Sequence, residues 1–251
     1  MQVDVISSVN EARTDELLHK TVIVIDVLRA TSTVVSALDN GGACIIPVET
    51  VSQAKQCQSL GDLLGGERYC KKIAGFHFGN SPLEYTEQHV KDRRIILTTT
   101  NGTRAVQKAQ RAAIVLAGCL RNAASCAETA VSFGKDIAVL CSGTRDEFSL
   151  EDGLCAGLLV ERIVQFVGNQ SRARVSTNDL GMALRFAYLH QQDDITSTLL
   201  ESSNGKRLAR LGYREDVVYC SEVDVTTMVP ILDQGMLVPF SCSAQARTLP
   251  R

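Results

Sequence analysis

The 251-residue sequence predicts an α/β protein, with three α/β/α layers around a mostly parallel mixed sheet. Three observations predict it. Short β-branched runs such as residues 21–27 (TVIVIDV) are brief and apolar throughout, as buried strands are. Longer stretches with helical spacing alternate with them, the pattern of βαβ units with helices on both faces. The polar, Gly- and hydroxyl-rich segments recur just after the apolar runs, where open α/β sheets bind ligands.

In chain order, residues 3–6 and 21–27 read as strands. Residues 31–40 read as a short helix that ends at Gly41-Gly42, 43–48 (ACIIPV) as a strand and 52–60 as a helix. Residues 94–98, 113–118 and 136–142 are further apolar strands, with helices over 103–110 and 122–133 between them. Residues 151–167 form a long helix with an apolar face. Residues 1–168 thus make an α/β core. The character then changes. GNQSRARVS (168–176) is a polar linker or exposed turn, 177–190 and 195–201 read as helices, and 217–220 and 236–240 as short strands. The portion 169–251 either forms a subdomain or completes the same sheet. TTTNGTRAV (98–106) and ESSNGKRLA (201–209) echo each other, though Asn-Gly before a helix is common loop chemistry.

Composition excludes several classes. With 26 basic and 28 acidic residues the net charge is −2, and there is no basic stripe of the kind nucleic-acid binders carry. The 5% aromatic content and absence of Trp leave little stacking surface. No apolar run approaches the roughly 18 residues of a membrane span, and no signal peptide is visible, so neither membrane nor export is expected and the cytoplasm is. The nine cysteines are odd in number, irregularly spaced and without a CxxC pair, which argues against a disulfide framework or a zinc knuckle. They read as small buried hydrophobes.

Four clusters carry candidate chemistry. In 21–38, an acid, Asp26, ends an apolar strand; Arg29 follows, and Thr31, Ser32 and Thr33 open a helix. Free N–H groups at such a start suit an anion, and Arg29 suits phosphate. Asp26 suits a metal ligand or nucleophile; the plainer alternative is a capping Asp paired with Arg29. The second aspartate of haloacid-dehalogenase-type phosphatases is absent, since position 28 is Leu. In 65–86, Gly65, Gly66 and Gly79 permit unusual backbone conformations, Asn80-Ser81-Pro82 makes a turn into a helix, and Glu67 and Glu84 offer hard oxygens. Arg68, Lys71 and Lys72 attract anions, and His77 lies within reach of a substrate there; the alternative is a flexible lid. In 95–106, three threonines run into Asn101, Gly102, Thr103 and Arg104, which is either a second anion site or a well-capped helix. In 137–157, a strand ends at Ser142-Gly143 and Glu151-Asp152 open the long helix, favoured by its dipole and also suited to Mg²⁺. No GxSxG, HExxH, Walker-type GxxxxGK or Cys-x₅-Arg motif is present.

DVLRATST (26–33), GERYCKKIAGFHFGNSPLEY (66–85), TTTNGTRA (98–105) and the SG…LEDGLCAG run (142–157) together resemble the 2-phosphosulfolactate phosphatase family, in the same order and spacing. The resemblance runs to about residue 168 and continues weakly to Val229-Pro230. It implies a three-layer fold and a Mg²⁺-dependent phosphomonoesterase that hydrolyses 2-phospho-3-sulfolactate, a step that leads to coenzyme M in methanogens. Such a substrate is a small anion of roughly four negative charges. The expected metal ligands are Asp26, Glu67 and Asp152, with Glu151 next, and the expected catalytic set is Asp26, Arg29, Glu67 and Asp152. Thr31, Ser32, Thr33, Arg68, Gly79, Asn80, Ser81, Asn101, Gly102, Thr103, Arg104, Ser142 and Gly143 are expected to bind the anionic groups, with Arg145 a further cation. Two routes stay open: attack by Asp26 with an aspartyl-phosphate, or attack by a metal-bound water with a carboxylate as base. A homodimer is among the assemblies the sequence allows.

Overall fold

The apolar runs do form strands buried on both faces. The computed structural model describes residues 1–170 and 174–241. All five residues of β2 (Thr21–Ile25) are buried, and their alternation sends Ile23 and Ile25 into one core and Val22 and Val24 into the other. β2 lies between β7 (Ile114–Gly118) and β8 (Ile137–Cys141), parallel to both, and β8 continues in parallel to β1 (Gln2–Ile6) and β9 (Ser176–Thr177). On the other side of the sheet, β3 (Cys44–Pro47), β6 (Arg94–Thr98) and β4 (Leu63–Arg68) run parallel, with the two-residue β5 (Lys71–Lys72) antiparallel at the edge.

The two parallel sets are joined by an antiparallel hairpin, β10 (Pro230–Asp233) and β11 (Met236–Pro239), which pairs with β7 through Ile231 and Leu116 and with β3 through Leu237 and Ile45. Its two-residue turn, Gln234-Gly235, has positive φ at both positions, as tight hairpins require. The order is β5-β4-β6-β3-β11-β10-β7-β2-β8-β1-β9. Residues after 173 therefore supply strands at one edge and in the middle of the same sheet.

Helices cover both faces. α1 (Thr14–Leu17), α2 (Ala30–Asp39) and α5 (Gly102–Ala109) pack on one, and α6 (Ala123–Ser132), α7 (Leu150–Gln170) and α8 (Asp179–Gln191) on the other. α3 (Val51–Cys57) covers Ile96 and Leu64, and the single turn α4 (Glu87–Val90) precedes β6. α9 (Ile195–Glu201), α10 (Ser203–Arg210) and α11 (Arg214–Cys220) follow α8 and join its core through Leu199, Leu208 and Val217. The architecture is the expected three-layer α/β fold.

Three local expectations are corrected. Residues 217–220 are the end of α11, not a strand: the β-branched pair Val217-Val218 sits on a helix that buries Asp216, Val217 and Cys220 on one face. The polar segment 168–176 is not wholly a linker, because α7 extends to Gln170 and β9 begins at Ser176; residues 171–173 of it lie outside the described residues. The turn after Ser81 is a single 3-10 turn, Pro82–Glu84. The sequence reading also passed over β4, β5 and β10. In β4, Gly66 has φ +145°, and a Cβ there would lie 2.1 Å from the Thr98 carbonyl oxygen. Glycine is what lets this strand approach β6, and it also dilutes the strand signal. No helix among the described residues is long and apolar enough to cross a membrane.

Candidate active site

β2 and β8 run parallel, as do β4 and β6, while the three antiparallel steps through β10 and β11 set the two pairs in opposite directions; the loops after all four still converge. They enclose a cavity of about 100 Å³. Its wall includes Asp26 and Arg29 from the first loop, Glu67 and Cys70 from the second, Asn80, Asn101 from the third, and Arg145 from the fourth. Asn204 and Arg207 of α10 complete it.

The first loop is built around Asp26. One carboxylate oxygen, Oδ1, accepts from the Ala30 N–H at 3.1 Å, and the Gly102 N–H also donates to this carboxylate. Thr31 Oγ1 accepts from the Asp26 N–H and donates to the Asp26 carbonyl, and Ser32 Oγ donates to the Val27 carbonyl. Thr33 Oγ1 donates to the Asn80 carbonyl. The three hydroxyls expected to bind anions are thus engaged with backbone, Thr31 and Ser32 within the turn and Thr33 across to the second loop. The Leu28–Arg29 peptide is cis. Arg29 is 3% exposed; its Nη1 is 2.6 Å from Asp216 Oδ2, its Nη2 donates to the Cys70 carbonyl, and its guanidinium stacks on Tyr213. Ser81 Oγ donates to the other Asp216 oxygen.

In the second loop, Glu67 Oε1 accepts from the backbone and hydroxyl of Thr100, and Oε2 accepts from the Cys70 N–H at 2.6 Å. The carboxylate therefore fixes two cavity loops against each other. Arg68 points away, donating to the Glu67 and Glu49 carbonyls and to Thr98 Oγ1. The Gly79 N–H donates to Glu84, and Tyr85 donates its hydroxyl to the Gly79 carbonyl. His77 Nδ1 accepts from the Leu64 N–H, a structural role away from the cavity wall. Asn80 is different: it lines the cavity, and its Oδ1 is buried with no hydrogen-bond partner among the described residues.

The third loop closes the gap between the two halves of the sheet. Thr99 and Thr103 cap each other through hydroxyl and backbone. Gly102, the first residue of α5, lies against the first loop: a Cβ there would be 2.4 Å from Ala30 Cβ and 2.8 Å from Asp26 Oδ2. Gly102→Ala must therefore push the Asp26 carboxylate aside. A stability loss of about 1–3 kcal/mol is expected, with a larger relative loss of activity, read from urea unfolding beside steady-state rates. Wild-type activity in a folded Gly102→Ala would sink the assignment of Asp26. Arg104 pairs with Asp146 at 3.1 Å on the surface and lines a separate groove with Gln53 and Gln107, outside the cavity.

In the fourth loop, Asp152 Oδ1 accepts from the Val27 N–H at 2.9 Å and Oδ2 from the Gly143 N–H at 3.0 Å. Both oxygens are taken by backbone, and Asp152 buckles the first loop to the fourth rather than lining the cavity. Glu151 Oε1 accepts from Asn204 Nδ2 at 2.6 Å and faces an adjoining cavity of about 530 Å³. Ser142 Oγ is buried beside Gly143 with no hydrogen-bond partner among the described residues.

The charge in this region is costly. Burial raises the Asp26 carboxyl to about 7, and Glu67 and Glu151 push it the same way. Burial also raises Glu151, and it raises Asp152 with help from Asp26 and Glu151. Arg29 relieves little of this, because it is already matched by Asp216. A hard divalent cation suits such a donor set. Among the described residues no three acidic, thiol or imidazole groups form a ready-made cage. Mg²⁺ needs none, since it commonly takes one or two carboxylates and completes its shell with phosphate oxygens and water. Asp26 and Glu67, both on the cavity wall, fit that description.

Three site residues escaped the sequence reading: Asp216, Tyr213 and Arg207. Asn204-Gly205 was legible as the echo of Asn101-Gly102, and the structure brings both asparagines to one cavity.

The chain is similar to known proteins over most of its length. The family model for 2-phosphosulpholactate phosphatase matches residues 6–235. A protein of Symbiobacterium thermophilum described as a probable 2-phosphosulfolactate phosphatase is 39% identical over 234 residues, covering 92% of this chain and 98% of its own. Proteins with the same description from Caldanaerobacter subterraneus subsp. tengcongensis and Clostridium novyi are 38% and 37% identical, covering 91% and 92% of this chain and 94% and 96% of their own.

Proposed function

This chain belongs to the 2-phosphosulpholactate phosphatase family, and from that premise we propose that it hydrolyses 2-phospho-3-sulfolactate to 3-sulfolactate and phosphate with Mg²⁺. The observation that carries the reading is the Asp26 end of the cavity, where buried carboxylates, a helix start and the uncommitted Asn80 amide converge. That is a place for a metal ion and a phosphoryl group together.

Asp26 and Glu67 would hold the ion, whose chemistry is to neutralise phosphoryl charge as the transition state forms. Asn80, Asn101 and the start of α5 orient the phosphoryl oxygens. Arg29, anchored by Asp216, keeps the Cys70 turn closed over the site and adds positive potential. Water attacks phosphorus in line and gives its proton to a cavity carboxylate, the bond between phosphorus and the sulfolactate oxygen breaks, and the carboxyl returns the proton to that departing oxygen. We favour this over direct attack by Asp26, because backbone N–H groups of Ala30 and Gly102 hold that carboxylate in place.

The test is phosphate release from racemic 2-phospho-3-sulfolactate, with Mg²⁺ and with EDTA, beside phospholactate. Metal-dependent release that favours the sulfonated substrate is expected, with EDTA removing at least about 99% of it, a change of about 2.7 kcal/mol or more. Hydroxylamine added during turnover should trap no Asp26 hydroxamate, which an aspartyl-phosphate route would form. Equal release from both substrates would point to another phosphorylated hydroxy acid, and no release from either to a non-catalytic anion binder.

A further inference from the structure

A substrate with a phosphate, a carboxylate and a sulfonate needs positive charge at the end remote from Asp26. Most arginines near the cavity are already engaged. Arg29 is matched by Asp216, Arg68 by carbonyls and Thr98, and Arg104 by Asp146. Arg207 and Arg145 differ. Both line the cavity, and among the described residues neither guanidinium makes a hydrogen bond or an ion pair. Arg145 stands exposed on the fourth loop, at φ +54°. Arg207 is half-buried, so its idle charge carries a desolvation cost that a bound anion would relieve.

The position of Arg207 is set by its helix. Ser202 caps α10 by accepting from the Gly205 N–H, and Asn204 anchors it to Glu151 and Thr144. A Cβ at Gly205 would lie 1.8 Å from the Leu199 carbonyl oxygen, so α10 sits hard against α9. Arg207 also lines the adjoining cavity, and it shares that double position with Thr144, Arg145 and Asn204.

We propose that Arg207 is the residue that reads the substrate's sulfonate, with Arg145 beside it. This rests on the proposed reaction for its substrate, though not for its geometry. Arg207 is a specificity residue: it contributes binding to an anion that takes no part in P–O cleavage, so its loss weakens the sulfonated substrate and spares one without sulfonate.

The test compares wild type with Arg207→Gln. For 2-phospho-3-sulfolactate, Arg207→Gln should lower kcat/KM about 100-fold through KM, with kcat within about 3-fold. For phospholactate, kcat/KM should fall less than about 5-fold, so that the preference between the two collapses. Arg207→Lys, which keeps the charge and loses the fork, should recover part of it. Calorimetric binding of 3-sulfolactate against lactate, with and without Mg²⁺, gives a second readout that needs no turnover. Weaker sulfolactate binding by Arg207→Gln supports the proposal even if wild type releases no phosphate, an outcome that would overturn the proposed reaction alone. An unchanged preference and unchanged sulfolactate binding in a folded Arg207→Gln would overturn the proposal, as would a wild type that binds sulfolactate no better than lactate.

Discussion

Asp26→Asn should lower kcat for phosphate release at least about 1,000-fold, a loss of about 4 kcal/mol or more, while making the metal-free protein more stable at neutral pH. The two effects have one cause. The Asp26 carboxyl rises from 3.8 to about 7 on folding, first because it is buried and then because Glu67 and Glu151 face it. A raised carboxyl favours the protonated fold, so its stability is fully present below about pH 4 and is lost as pH climbs to about 7. That rise corresponds to about 4 kcal/mol at neutral pH. Asparagine removes the charge and keeps an oxygen for the Ala30 N–H. Thermal unfolding without metal should show little difference between variant and wild type near pH 4 and a widening advantage for the variant up to pH 8. Mg²⁺ at 100 times its Kd should return about 2.7 kcal/mol to wild type and little to the variant. More than a tenth of wild-type kcat in Asp26→Asn would remove Asp26 from the catalytic set.

How far this site is legible without a structure depends on where each residue sits. Asp26 and Asn101 follow strand signals directly, Glu67 and Asn80 stand in a Gly-rich polar segment whose composition has no other obvious reason, and all four reach the cavity. Thr31, Ser32, Thr33 and Thr103 carry the same signal, yet Thr31, Ser32 and Thr103 bond the backbone of their own turns and Thr33 the Asn80 carbonyl of the second loop. A hydroxyl at a helix start looks alike in sequence whether it binds a ligand or the backbone. Asp152 is a carboxylate at a helix start whose partners, Val27 and Gly143, are set by tertiary structure. Most of the strand set is readable because both faces of those strands are apolar. β11 is readable as a strand, but β10 and the place of their hairpin are not, because nothing local says that a C-terminal segment enters the middle of a sheet built earlier in the chain. Asp216 and Arg207 are ordinary charges in charged helical stretches; only the long-range docking of α10 and α11 brings them to the cavity.

Asp216 is where that docking should show the largest stability effect. Asp216→Ala leaves the Arg29 guanidinium, 3% exposed, without its carboxylate, and also strips the acceptor from Ser81. Breaking one side of a buried pair commonly costs about 3–5 kcal/mol, because a charge remains buried and unmatched. A shift of that size in urea unfolding is expected for Asp216→Ala and for Arg29→Met alike. The double variant, Arg29→Met with Asp216→Leu, should recover most of the stability, since apolar replacement of a whole buried pair is often neutral. It should not recover activity, because Arg29 also holds the Cys70 carbonyl, and Cys70 in turn donates its N–H to Glu67. With Asp216→Leu made singly as well, wild type, Arg29→Met, Asp216→Leu and the double variant form a thermodynamic cycle. A strongly favourable coupling energy with activity still absent would show that the C-terminal helices shape the site through this pair, whereas additive losses, or less than about 1 kcal/mol for Asp216→Ala, would mean that α11 merely packs beside it.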